Sequence, residues 1–188
     1  MKTFEEIYNI VEESSHETAF NKEECQTLFD LLTNLSDEAV VVEIGVEYGR
    51  STTVIAEVTK WKKFKFTAID NWCQDNGPEA EQHVRGQMQK HGWEINLVSA
   101  NSLEFAKKFT DKIDLLHIDG DHTYEGVRDD ILAWVPKVKV GGYICFDDYG
   151  HDSLPGVYSA CMEYLDKYRQ TFKFLGRFGN KLGVYQKI

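Results

Sequence analysis

Short apolar runs alternate with amphipathic stretches over most of the chain. AVVVEI (39–44), FKFTAID (64–70), EINLVS (94–99), KIDLLHID (112–119) and GGYICF (141–146) have the length and the β-branched or aromatic content of strands. STTVIAEVTK, PEAEQHVRGQMQKHG (78–92), SLEFAKKF and TYEGVRDDILAWV lie between them and read as helices. The second of these opens with Pro and has Gly just past its end. The last carries Tyr124, Val127, Ile131 and Val135 on one face and is closed by Pro136. The first 36 residues are helical in pattern. Asn21 serves as N-cap with Glu24 at the third helical position, and Cys25, Leu28, Phe29, Leu32 and Leu35 form one stripe. The chain ends with a helix, GVYSACMEYLDKY, and two strands, TFKFLG and KLGVYQKI, which a tight turn around Gly179-Asn180 would pair antiparallel.

Strand alternating with helix predicts an α/β fold: a doubly wound, Rossmann-like, mostly parallel sheet of seven strands, helices on both faces, with an antiparallel C-terminal strand. We expect one domain over 1–188, with 1–36 as a helical N-terminal segment. Ligands in such folds bind at the carboxyl ends of the strands, near the point where strand order reverses. Strands one, two, four and five all end in acids, and that is where the candidate chemistry lies.

Composition narrows the partners. The 188 residues carry a net charge of −10, which disfavours a nucleic-acid surface and favours cationic ligands. No apolar run reaches the roughly 20 residues of a membrane helix, and MKTFEEIYNIVEESS is too acidic for a signal peptide. The expectation is a cytoplasmic protein with no nucleic-acid or membrane partner. Cys25, Cys73, Cys145 and Cys161 lie far apart with no C-x-x-C pair, as reduced thiols do.

EIGVEYGRST (43–52) joins the first strand to the first helix of the alternating region. Gly45 and Gly49 permit a tight turn and close approach to a ligand. Glu47 stands where a dinucleotide fingerprint wants its second Gly and would repel pyrophosphate, whereas a cationic ligand without phosphate escapes that penalty. Asp70 ends the second strand about 20 residues beyond the turn, where ribose hydroxyls are held in adenosine-type sites. FDDYG (146–150) supplies Asp147 and Asp148, which come beside Asp119 if strands four and five are neighbours. Three such carboxylates suit Mg²⁺ or a similar divalent ion; spacing alone leaves equally open a pair of loop acids with capping roles. His122 is a candidate general base, or a His hydrogen-bonded to a neighbouring acid.

VEIGVEYGRSTTVIA, FTAIDNW, VSANSLEFA and IDLLHIDGDHTYEGVRDDILAWVPKVKVGGYICFDDYG together resemble the class I S-adenosylmethionine-dependent methyltransferases. Within them the chain is similar to the branch of macrocin O-methyltransferase and the cephalosporin-hydroxylase-like proteins. The resemblance covers about residues 20–188. It implies S-adenosylmethionine as cofactor, with Glu43, Gly45, Gly49 and Ser51 around its methionine part, Asp70 on the ribose, Asn101 with Ser102 by the adenine, and Asp119 also at the cofactor. It implies Mg²⁺, or another divalent cation, on Asp119, Asp147 and Asp148. The reaction would be metal-assisted O-methylation of a small-molecule hydroxyl, a sugar diol or catechol-like acceptor, with Asp119 or His122 taking the proton. Another acceptor, or a catalytically silent cofactor-binding protein, is the alternative. A homo-oligomer is compatible with the sequence.

Overall fold

A computed structural model describes residues 1–14 and 20–188. Helices α1 (Phe4–Ser14) and α2 (Lys22–Asn34) precede β1 (Val40–Ile44), α3 (Arg50–Lys62), β2 (Lys65–Asp70), α4 (Gly77–His91), β3 (Asn96–Ser99), α5 (Ser102–Ala106), β4 (Ile113–Ile118), α6 (Tyr124–Trp134), β5 (Val138–Phe146), α7 (Pro155–Tyr164), β6 (Phe172–Phe178) and β7 (Leu182–Lys187). The seven strands form one sheet in the order β3-β2-β1-β4-β5-β7-β6. The first five are parallel, β7 runs antiparallel to β5, and β6 antiparallel to β7. The reversal of order therefore falls between β1 and β4.

Period-two alternation splits the core into two layers. Val41, Phe66, Ala68, Leu115, Cys145 and Val184 face α1–α4, while Val42, Ile44, Ile69, Leu116, Ile118, Ile144 and Phe146 face α5–α7. Trp134 on α6 is fully buried in the second layer. Three elements differ from the pattern, one of them α7, which ends at Tyr164 rather than running on to Tyr168. Strand β5 starts at Val138 rather than Gly141, because Ile113 pairs with Val138 across an irregularity before Leu115 meets Tyr143. Helix α5 stops at Ala106, and its last turn gives way to single-turn bonds from Lys108 and Phe109 to Phe105.

The helix ends follow their local chemistry. Asn21 accepts from the N–H groups of Glu23 and Glu24, and Glu24 Oε2 accepts from Asn21 N at 2.7 Å, the expected capping box. Gly92 ends α4 in the left-handed conformation. Asn101 and Thr123 cap α5 and α6 with their side chains. The cap of α2 is also a tertiary joint. Asn21 Nδ2 donates to Gly179 O in the β6–β7 turn, and Lys181 N donates to Glu24 Oε1 at 3.2 Å.

Glu24 is fully buried, and burial, reinforced by nearby Asp147 against two backbone donors and Lys181, pushes its carboxyl up to about 7. An acid whose folded pKa lies above its unfolded value of 4.5 takes up a proton on folding. It is harmless in acid and destabilises the fold progressively as pH rises towards 7. Glu24→Gln removes the charge and keeps one acceptor oxygen for Asn21 N, at the cost of the longer bond from Lys181 N, a loss that does not vary with pH. Urea denaturation from about pH 5 to about pH 8 should therefore show wild type losing on the order of 1–3 kcal/mol more stability than the variant. Parallel curves would remove Glu24 as the source.

Candidate active site

At the carboxyl ends of β1, β2 and β4 a cavity of about 650 Å³ opens between the β1–α3 loop, the β2–α4 loop and helices α5 and α6. Its entrance depends on Gly45. The backbone there is left-handed (φ +84°), and a Cβ would lie 1.8 Å from the Asp119 carbonyl oxygen. Only a residue without a side chain lets β1 leave the sheet so close to the end of β4. Asp119 N in turn donates to Ile44 O at 2.7 Å, and Asp147 N to Ile118 O at 3.0 Å, so the exits of β1, β4 and β5 are tied together.

Asp70 holds the two loops on the other side. Its Oδ2 accepts from Val46 N (2.8 Å) and Glu47 N (3.0 Å), and Oδ1 accepts from Trp72 N (2.8 Å). The carboxylate expected to meet a ribose is thus also the clamp that shapes the turn, with lone-pair capacity remaining on Oδ1. Glu47, Trp72 and Asp148 are non-glycine residues with φ between 48° and 54°. Such strain concentrates at functional loops.

Beyond the cavity floor the acids converge as the neighbouring strands require. His122 Nε2 lies 3.0 Å from Asp119 Oδ1 and 3.5 Å from Asp148 Oδ2. The hydrogen bond that the ring donates to Asp119 raises the His122 pKa, with Asp148 and Asp147 adding to it against partial burial. One ligand atom each from Asp119, His122 and Asp148 falls within a 4.8 Å cluster. Asp147 is placed differently. Its Oδ2 accepts from Lys181 Nζ at 2.8 Å, and the same ammonium reaches Asp148 Oδ1 at 2.9 Å. Burial and the Asp119 charge push the Asp147 carboxyl up to about 7, against the pull of Lys181. Its Oδ1 is buried with no hydrogen-bond partner among the described residues.

The expected site residues therefore separate into groups. Gly45, Asp70, Asn101, Ser102, Asp119 and His122 line the cavity. Glu43, Gly49 and Ser51 do not. Glu43 is fully buried beneath α3 and accepts from Ser51 Oγ and Thr52 Oγ1, both at 2.6 Å, while Gly49 is the left-handed N-cap of that helix. These three shape the turn from behind. Beside Glu43 in register is His117, fully buried. Its Nδ1 is 3.5 Å from Glu43 Oε1, a charge contact rather than a formed hydrogen bond. Although burial opposes charge on the ring, Glu43 with Asp119 and Asp147 raises its pKa.

Several cavity residues were not among the expected site residues: Cys73, Asp121, Glu125, Asp129 and Asp130. Asp130 did leave a signal, since it is an acid on the inward stripe of α6 between Val127 and Ile131. Burial pushes its carboxyl up to about 6, with Ser102 pulling down and the Asp121 and Asp129 charges pushing up. Lys181 left none, as a lysine after a Gly-Asn turn reads as solvated.

The family model for a methyltransferase domain matches residues 42–149, more than half of the chain and the whole stretch that builds these strand ends. The chain belongs to the methyltransferase domain family. Its fold is that of the class I S-adenosylmethionine-dependent methyltransferases. A mimivirus relative from Acanthamoeba polyphaga mimivirus, itself uncharacterized, is 31% identical over 131 residues, 64% of this chain and 58% of its own length. The chain thus spans little more than half of that relative. Among solved structures, the O-methyltransferase NovP superposes with a TM-score of 0.67 at 19% identity, covering 87% of this methyltransferase and 78% of NovP. SMU.1697c from Streptococcus mutans, solved in complex with SAH, gives 0.67 at 15% identity, covering 87% and 97%. These likenesses establish the fold.

The Asp70 clamp is testable without any ligand. Asp70→Ala strands three N–H groups, and should cost roughly 2–4 kcal/mol in chemical denaturation. It should also speed amide hydrogen exchange at Val46, Glu47 and Trp72. Unchanged protection at those amides would mean that the loops hold their shape without the carboxylate.

Proposed function

We propose that this methyltransferase transfers the methyl group of S-adenosylmethionine to a hydroxyl of a small molecule, in the manner of the macrocin O-methyltransferase branch. The observation that carries the reading is the charge of the cavity. Seven carboxylate residues line it, and no lysine or arginine among the described residues does. A phosphate-bearing dinucleotide would be repelled there, whereas a sulfonium cation is attracted. No described helix is long and apolar enough to cross a membrane.

Methyl transfer in line needs alignment and a nucleophile stripped of its proton. Cofactor on the floor formed by Gly45 and Asp70 would present its methyl toward the Asp119–His122 corner. A divalent cation fits that corner by donor chemistry: Asp119, Asp148 and His122 converge, and the buried Asp147 Oδ1 adds an unpaired negative oxygen nearby. Such an ion, when bound, would lower the pKa of the acceptor hydroxyl. Lys181 holds Asp147 Oδ2 and Asp148 Oδ1, so His122 rather than Asp147 would complete the ligand set. Asp119 then serves as proton acceptor. Two adjacent hydroxyls could chelate at this corner, which favours a sugar diol or catechol-like acceptor. A metal-free route is favoured by one observation: the 3.0 Å contact of His122 with Asp119 has the geometry of an oriented general base.

Calorimetry should show micromolar-range S-adenosylmethionine binding (about 10⁻⁶–10⁻⁵ M) and no comparable affinity for a dinucleotide; the reverse order would sink the cofactor assignment. Turnover with a vicinal diol should fall about 10²–10⁴-fold in His122→Ala. Mn²⁺ titration followed by electron paramagnetic resonance, with and without Asp148→Asn, tests the metal. A bound signal lost in the variant, with turnover abolished by chelator, supports the assisted route. No bound signal and indifference to chelator leave the His122 base.

A further inference from the structure

Charge is distributed unevenly along the chain. Residues 166–188 hold six of its 21 lysines and arginines but only one of its 31 acids, Asp166. Lys181 is committed to Asp147 and Asp148. Arg177, opposite Gly183 in the β6–β7 hairpin, reaches the loop that follows those two acids. Its Nη1 donates to Gly150 O at 3.1 Å, and a Cβ at Gly150 would lie 2.6 Å from that nitrogen, so the guanidinium rests directly on backbone. The side chain is exposed, and no carboxylate among the described residues pairs with it. A chain rich in acids has thus left an arginine unpaired at the rim of its acidic corner. Gly150 is two residues past Asp148, no more than about 7 Å along the chain. Aromatic surface adjoins it. The Tyr149 ring packs against Tyr158 (centroids 5.3 Å apart) and Phe174 (5.2 Å), which are 43% and 39% exposed.

A guanidinium steadied by one carbonyl keeps its other donors in a fixed fork, the match for a carboxylate or phosphoryl group. We propose that Arg177 is an anion subsite for the methyl acceptor: it holds an oxyanion carried a few ångströms beyond the reacting hydroxyl, with Tyr158 and Phe174 beside the apolar stretch between them. This rests on the hydroxyl-methylation reading above and names the acceptor class as anionic. The cavity carboxylates repel such a group while Arg177 attracts it. The acceptor therefore enters in one orientation, hydroxyl toward the Asp119–His122 corner and anion outward.

The test uses the full chain, S-adenosylmethionine and three catechols that differ beyond the ring: dihydrocaffeate, its neutral amide and hydroxytyrosol phosphate. Wild type should methylate at least one anionic catechol about five- to tenfold better than the amide in kcat/KM, with the gain in KM. The preference should shrink as salt rises from about 0.05 to 0.5 M. The larger of the two preferences identifies carboxylate or phosphoryl. Arg177→Gln should bring the ratio to about one, and Arg177→Lys should restore part of it, because the charge returns without the fork. A ratio unaltered in Arg177→Gln overturns the proposal, as does a wild type that turns over the amide as well as both anions. Binding is read apart from chemistry by the Arg177 Nε–H resonance in the presence of S-adenosylhomocysteine. It should shift on titration with an anionic catechol and stay in place with the amide. If no catechol is methylated while that resonance shifts, catechol methylation falls and the anion subsite stands. A resonance that does not move overturns the subsite whatever turnover shows.

Discussion

The close crossing of Gly45 over the Asp119 carbonyl is the constraint on which the rest of the molecule depends. Parallel strands normally leave a sheet in step, with side chains filling the space above their ends. Here the chain departs upward through a left-handed glycine with the neighbouring strand's backbone in the position of a side chain. The sheet must open at that point because order reverses between β1 and β4. The crevice is therefore a product of topology and of one missing methyl group, and the polar machinery is arranged around it.

The second organising fact is electrostatic. A chain of net charge −10 collects carboxylates at one end of its sheet, and each must be stabilised by some local means. Asp70 is satisfied by three backbone N–H groups, Glu43 by two hydroxyls, and Asp147 and Asp148 by a lysine ammonium. Asp70 also lines the cavity, together with six further carboxylate residues. An acidic pocket with internally satisfied acids behind it is pre-arranged for a cationic guest, because the field is present before the guest arrives and no side chain has to reorganise to create it.

The fold was legible because its signals are local. Apolar runs of strand length, glycine and proline at helix borders, and the Asn21–Glu24 cap each act within a few residues. The errors fall at element ends: the Val138 start of β5, which pairing with Ile113 decides, and the early ends of α5 and α7. The site was legible where a backbone motif carries it, at Gly45, Asp70, Asp119 and His122. Glu43 and Ser51 flank that loop on β1 and α3, but strand alternation turns Glu43 to the buried face, where it meets Ser51 from below. Asp147 and Asp148 come beside Asp119 as strand adjacency implied. What decides their role is Lys181, some 33 residues further on, and no periodicity can announce a contact made by a hairpin folding back.

That hairpin joins early and late parts of the chain. The β6–β7 turn sits on the α2 cap through Asn21 and Gly179, and through Glu24 and Lys181, pairs separated by 158 and 157 residues. During synthesis from the N-terminus, β1 through β5 and both loops of the crevice are made before the ammonium that the acid pair requires. Closure of the last hairpin supplies the cation, the seventh strand and the lock on α2 in one event. Completion of the sheet and pairing of the acidic corner therefore depend on the same hairpin, and a chain that lacks it lacks both.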